Sequence, residues 1–193
     1  MKKLNNVNIN TPDYFDSQFS VKKIDFENTL RQSKYLELIG EGVETVIEVG
    51  CGMSAFCPMA MVKYPNVWGL DFAQESIERL REVYTKVQYV VGDALNTPFK
   101  DKFFDAVVAG EIIEHFEEPQ KFVDELVRIC KPGGRVILST PHLEFNDPEH
   151  LWEFEEQDLH DMFSKYGTTT VETIKSDKFL GRSYLFLSCQ LSQ

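Results

Sequence analysis

Residues 46–55, VIEVGCGMSA, place an apolar, β-branched run directly before two glycines separated by one residue. The run VETVIEV reads as a buried strand over 45–49. A side chain at Gly50 or Gly52 would obstruct either a tight turn or whatever approaches its backbone. Residues AFCPMAMVKY then read as a helix whose first N–H groups are left free to face a ligand. A strand, a glycine turn and a helix in that order are the first half of a β-α-β unit, so the question is whether the rhythm continues.

It does. VWGLD, residues 67–71, is a second short strand that ends in an acid. Residues 74–85 put Ile77, Leu80 and Tyr84 on one helical face. VQYVV is a third strand and runs into Gly92-Asp93. FDAVVAG, residues 104–110, is a fourth. Residues 118–130 carry the wide apolar stripe of a helix packed on a sheet, through Phe122, Val123, Leu126, Val127, Ile129 and Cys130. Lys131-Pro132-Gly133-Gly134 reads as a stop and a turn, and RVILSTP as a fifth strand. Strands alternating with helices predict an α/β domain with a mostly parallel, doubly wound sheet. The rhythm ends after a helix near 156–166. TTTVETIKS and SYLFLSCQ, joined through a polar segment centred on Gly181, predict a closing antiparallel hairpin and a sheet of seven strands. Upstream, residues 27–39 read as a helix ended by Gly40 and Gly42. Residues 1–25, with Tyr14, Phe15 and Phe19, read as an arm or short helix lying over the domain of residues 26–193.

Composition narrows the class. The chain has 193 residues, enough for one domain with a sizeable core, and 31 acidic against 20 basic side chains give a formal charge of -11. That balance argues against a large nucleic-acid footprint and for a small-molecule substrate. MKKLNNVNIN lacks the apolar core of a signal peptide, and no run approaches the roughly 18 apolar residues of a membrane span. Cys51, Cys57, Cys130 and Cys189 have no metal-knuckle spacing and read as reduced thiols, so the expectation is a cytoplasmic protein away from membranes.

In open α/β sheets, ligands bind beyond the carboxyl ends of the strands. Gly50, Gly52, Asp71, Asp93, Glu111 and His142 all fall there. Gly50, Gly52 and Ala55 fit the dinucleotide pattern G-x-G-x-x-(G/A), with Asp71 where a ribose-binding acid belongs. Spacing alone therefore admits a nicotinamide-dependent oxidoreductase. Glu48 inside the strand speaks against a pyrophosphate beside it, and the pattern leads one to expect no second domain for the hydride partner.

The segments VIEVGCGMS, GLDFAQESI, VVGDAL and FDAVVAGEIIEHFEEPQKFVDELVRICKPGGRVILSTP resemble those of class I S-adenosylmethionine-dependent methyltransferases. The likeness spans roughly residues 30–190 and lies nearest the ubiquinone-biosynthesis O-methyltransferase and small-molecule branch. The resemblance implies S-adenosylmethionine as cofactor, with Glu48, Gly50 and Gly52 around its methionine and ribose. It further implies Asp71 on the ribose hydroxyls, Phe72 against the adenine, and Asp93 with Ala94 and Leu95 at the adenine amino group; Gly110 is counted with these. Ser54 stands where the family usually has a third glycine. The implied reaction is methyl transfer to a small-molecule acceptor, with a hydroxyl oxygen favoured. A domain that binds without transferring methyl is the non-catalytic alternative.

A hydroxyl or amine acceptor must lose a proton at some stage. The candidate catalytic residues are His115, His142 and His150, with Trp152, Tyr14 and Phe19 as further pocket candidates. On a helix, Glu111, Glu114 and His115 of GEIIEHFEEP would share a face, and His150 would supply a fourth metal ligand. EIIEH, TPHLEFN and EHLWEF resemble in part the signature of metal-dependent small-RNA 3'-terminal 2'-O-methyltransferases, which gives an alternative function. The spacing permits a metal without requiring it, so no metal ligand is assigned.

Overall fold

The computed structural model describes residues 1–193 except 6, 20–22, 25, 27–28, 143–146 and 176–182. Its strands are β1 (Lys2–Lys3), β2 (Thr45–Val49), β3 (Asn66–Asp71), β4 (Gln88–Val91), β5 (Phe104–Gly110), β6 (Cys130–His142), β7 (Trp152–Glu153), β8 (Gly167–Lys175) and β9 (Ser183–Leu191). The helices are α1 (Pro12–Phe19), α2 (Leu30–Ile39), α3 (Phe56–Lys63), α4 (Gln74–Val83), α5 (Pro119–Ile129) and α6 (Glu156–Phe163). A 3-10 turn covers Ile113–His115.

Seven strands form one sheet in the order β4-β3-β2-β5-β6-β9-β8. β2 pairs in parallel with both β3 and β5, β3 with β4, and β5 with β6. β9 pairs antiparallel with β6 and with β8, so the chain closes in the expected hairpin. The link through Gly181 lies outside the described residues, as do residues 143–146 and the first positions expected of the helix at 27–39. Because β3 and β4 run outward from one side of β2, and β5 and β6 from the other, the order reverses between β2 and β5. The crevice at their carboxyl ends is the ligand position of such a sheet.

Alternation along the central strands builds two cores. Ile47, Val49, Val107, Ala109, Val136 and Leu138 pack with Phe122, Leu126, Leu159 and Phe163 of α5 and α6. Val46, Ala106, Val108 and Ile137 pack with Tyr35, Phe56, Ala60, Ile77 and Leu80 of α2, α3 and α4. Glu48, two residues after Val46, therefore falls on the α2–α4 side of the sheet. Local chemistry fixes helix ends: Pro119 opens α5, and Glu155 and Asp158 form a reciprocal capping box at α6.

Two features differ from the sequence expectation. Lys131–Gly134 do not end an element. They bulge from β6 between the pairs Phe104–Cys130 and Ala106–Arg135, with Gly133 at φ +72 absorbing the bend. The arm also joins a second, small sheet, because β1 pairs with β7 through Lys2–Glu153 and Lys3–Trp152. The Asn5 amide donates to the His150 carbonyl at 2.7 Å, and the Asn10 amide donates to the carbonyls of Glu149 and His115 at 2.9 and 3.2 Å. Side-chain amides along the arm thus tie it to His115 and to residues 147–150.

Candidate active site

The turn after β2 is built by backbone. Gly50 has φ +75, and a Cβ there would lie 2.1 Å from Ile112 Cδ1. Gly50 and Cys51 donate their N–H groups to the Leu70 carbonyl at 2.7 and 3.0 Å. Gly52, at φ +40, donates to Asp71 Oδ2 at 2.8 Å, and Ala73 donates to Asp71 Oδ1 at 2.9 Å. Two backbone donors thus orient the Asp71 carboxylate, and each oxygen keeps a lone pair for a ligand. Burial raises the Asp71 pKa, against the lowering from those N–H groups. Ser54, in the third-glycine position, accepts from the Phe56 N–H at 3.0 Å. The replacement adds a local side-chain-to-backbone turn just before α3, whose N-cap is Ala55.

A cavity of about 600 Å³ opens at these strand ends. Of the residues expected at the site, Gly50, Asp71, Phe72, Asp93, Ala94, Leu95 and His115 line it. The Asp93 carboxylate is held by the Leu95 N–H at 2.8 Å. Glu48, Gly52, Gly110, His142 and His150 are not on its wall among the described residues. Glu48 is 3% exposed behind the turn, where it accepts from Cys57 Sγ at 3.3 Å. Burial pushes its pKa up to about 8. Gly110 has another role: a Cβ there would lie 2.2 Å from the Tyr35 hydroxyl. His142 ends β6 opposite Ser183.

The arm supplies part of the wall through Asn8, Asn10, Pro12, Phe15 and Phe19. Phe15 packs on Phe72 and edge-on to His115, with ring centres 5.6 and 5.9 Å apart. Tyr14 points elsewhere and donates to Glu149 Oε1 at 2.6 Å. Trp152 likewise stays off the wall, packs against the core and donates to the Phe116 carbonyl at 2.9 Å. No lysine or arginine lies on the wall among the described residues, whereas Asp71, Asp93, Glu111, Glu117 and Glu118 do.

GEIIEHFEEP does not form the helical face its spacing suggested. Glu111 sits at φ +55 and turns the chain sharply before a three-residue 3-10 turn, so its i, i+3, i+4 neighbours do not stack. Its carboxylate accepts from Ser139 Oγ at 2.7 Å and pairs with Arg31 at 3.1 Å. The Tyr35 hydroxyl completes this network 2.5 Å from Ser139 Oγ. Arg31, Tyr35 and Ser139 were missed by sequence reasoning, and only the polar STP interruption at the end of RVILSTP hinted at any of them.

Glu114 is separate from Glu111. It is 1% exposed, and its Oε2 accepts from Thr140 Oγ1 at 3.0 Å. His115 brings Nδ1 to 3.0 Å from the Glu149 carbonyl. Burial first, and then the neighbouring His150, push the His115 pKa down to about 4. Burial also lowers that of His150, whose ring centre lies 5.1 Å from that of His115.

The family model described as "Methyltransferase domain" matches residues 47–138. The matched region, residues 47–138, is a methyltransferase domain of the class I S-adenosylmethionine-dependent kind. It is 34% identical to norajmaline N-methyltransferase of Rauvolfia serpentina over 107 residues, covering 51% of this chain and 37% of that protein. It is 31% identical to the chloroplastic tocopherol O-methyltransferase of Arabidopsis thaliana over 131 residues, 64% and 38% of the two chains. The match therefore spans less than half the length of these two relatives. In fold it resembles N-methyltransferase NodS from Bradyrhizobium japonicum WM9, solved in complex with S-adenosylhomocysteine. The TM-score is 0.79 at 13% identity, over 95% of this chain and 100% of that one. S-adenosylmethionine is that family's cofactor, and the left-handed glycine turn and the pre-oriented Asp71 fit it.

Proposed function

We propose that this methyltransferase moves a methyl group from S-adenosylmethionine to a hydroxyl oxygen of a small molecule, in the cytoplasm. The observation that carries the reading is the backbone-oriented Asp71 beside the Gly50 turn, on the wall of an aromatic and acidic cavity. When bound, the cofactor supplies an electrophilic sulfonium methyl. Asp71 would accept the ribose hydroxyls, Phe72 would lie against the adenine, and Asp93 with Ala94 and Leu95 would meet its amino group. Acids on the wall, with no lysine or arginine among them, favour a cationic sulfonium. The same charge balance favours a small acceptor over an RNA end.

The remaining work is positioning and exclusion of water, which can supply much of the rate. Phe15 and Phe19 cover the cavity from the arm, and His115 orients the acceptor from the opposite side. His142 and His150 are off the wall, so neither is given contact with the acceptor. Glu48 and Gly110 act on the site through the turn and through Tyr35. The names of the curated relatives, an alkaloid N-methyltransferase and a tocopherol O-methyltransferase, support a small organic acceptor. Four buried free cysteines support a reducing compartment.

Calorimetry with S-adenosylmethionine, S-adenosylhomocysteine and NAD tests the cofactor, and tighter binding of NAD would overturn it. Mass spectrometry after incubation with paired hydroxyl and amine acceptors tests the reaction. Methylation of amines alone would replace the oxygen assignment. Binding without transfer to either would leave the chain a non-catalytic domain.

A further inference from the structure

We propose that β8 is the interface of a homodimer, in which the edge strands of two copies pair antiparallel about a two-fold axis at Val171. β8 ends the sheet order and pairs on one side only among the described residues, with β9. Both of its faces are covered. Thr173 donates its hydroxyl to Glu156 of α6, and Glu172 pairs with Lys34 of α2 at 2.9 Å. The outer edge is open. Tyr166, just before the strand, accepts from the Ser192 N–H at 3.0 Å. Alternation from that bond turns the main-chain groups of Thr168, Thr170, Glu172 and Ile174 to β9. Those of Gly167, Thr169, Val171, Thr173 and Lys175 face outward.

Natural sheet edges are blunted by shortness, proline, bulges or charge. β4, at the other end of the sheet, has 4 residues. β8 has 9, GTTTVETIK, and pairs with β9 without a register shift. It contains no proline, and its central carboxylate is already balanced by Lys34. A long, straight edge rich in β-branched residues and balanced in charge is a template for another strand.

The strand is complementary to itself. With the axis at Val171 the whole strand overlaps, and every outward-facing residue meets another: Val171 its own copy, Thr169 the partner's Thr173, and Gly167 the partner's Lys175. Between them, Thr170 meets the partner's Glu172, a hydroxyl donor against a carboxylate, twice over by symmetry. No residue faces a like charge, which is what destabilises directly opposed pairs. An axis at Glu172 would set the two carboxylates against each other, and one nearer Gly167 would shorten the overlap. The pattern therefore selects a second copy and this register.

Sedimentation of the full chain across micromolar concentrations tests the interface, with circular dichroism to check folding. The expected result is a species of twice the 22.3 kDa chain mass. Its amides at Thr169, Val171 and Thr173 should exchange slowly with solvent and speed up on dilution. Each copy carries a formal charge of -11, so the two repel at a distance and association should tighten with added salt. Val171→Pro removes an outward N–H without touching the bonds to β9 and should give a monomer. Thr170→Glu sets a carboxylate against the partner's Glu172 and should weaken dimerisation about tenfold. Thr170→Lys sets an ammonium there and should not weaken it. If Val171→Pro misfolds, the Thr170 pair decides. A monomer at every concentration, or a dimer indifferent to these changes in folded variants, would overturn the interface. Among the described residues none of β8 lines the cavity, so a dimer that failed to bind S-adenosylhomocysteine would keep this interface and lose only the proposed reaction.

Discussion

Replacing Glu48 by Gln should flatten the fall in stability of the ligand-free protein as pH rises from about 4.5 to about 8. Glu48 sits under α3 with its Oε2 3.3 Å from Cys57 Sγ, and burial moves its carboxyl from 4.5 to about 8. Between those values the folded chain holds a proton that the unfolded chain has released. Unfolding therefore releases a proton, and stability falls with rising pH by up to about 1.4 kcal/mol per pH unit. Below 4.5 both states are protonated and above about 8 both are ionised, so the contribution is flat outside the window. Across it the cost accumulates to a ceiling on the order of 5 kcal/mol. Glutamine keeps the shape and an acceptor for Cys57 but never ionises. The difference in unfolding free energy, variant minus wild type, should grow steadily through the window and then level. Urea unfolding followed by fluorescence of Trp68 and Trp152, in steps of about one pH unit, measures it directly. A difference constant with pH would show that Glu48 ionises at its ordinary value, and the account of its burial would be wrong.

Asp71→Ala removes the acceptor for two ribose hydroxyls and should weaken S-adenosylhomocysteine binding about tenfold or more by calorimetry; unchanged affinity would remove Asp71 from the cofactor site. Phe15→Ala withdraws the ring that packs on Phe72 and His115. It should weaken the same binding by roughly threefold to tenfold while moving unfolding free energy by under about 1 kcal/mol, because Phe15 is only half-buried. Gly110→Ala forces a Cβ against the Tyr35 hydroxyl inside a buried network, and denaturant unfolding should register a loss of about 1–3 kcal/mol. Phe122→Ala empties a fully buried position between α5 and the sheet and should cost roughly 3–5 kcal/mol.

The strands and helices of this domain were legible from local pattern. VIEVGCGMSA, FDAVVAG and the stripe at 118–130 each announce their element within a dozen residues, because strand and helix burial have different periods. The glycine turn and Asp71 were also legible, since a positive φ and an acid closing the next strand are local demands. Four things needed the tertiary structure. Glu48 turns out to lie on the α2–α4 side because β2 is covered on both faces, and only packing decides which face meets a ligand. Glu111 leaves the path of a helix through a left-handed backbone that Arg31, 80 positions earlier in the chain, holds by its charge. Lys131–Gly134 stay within a strand because β5 pairs both before them, at Cys130, and after them, from Arg135. Finally, Glu114, His115 and His150 meet because the arm fastens their two segments together. Sequence specifies what each segment prefers to be; which distant side chains share one buried space is set by how the whole sheet closes.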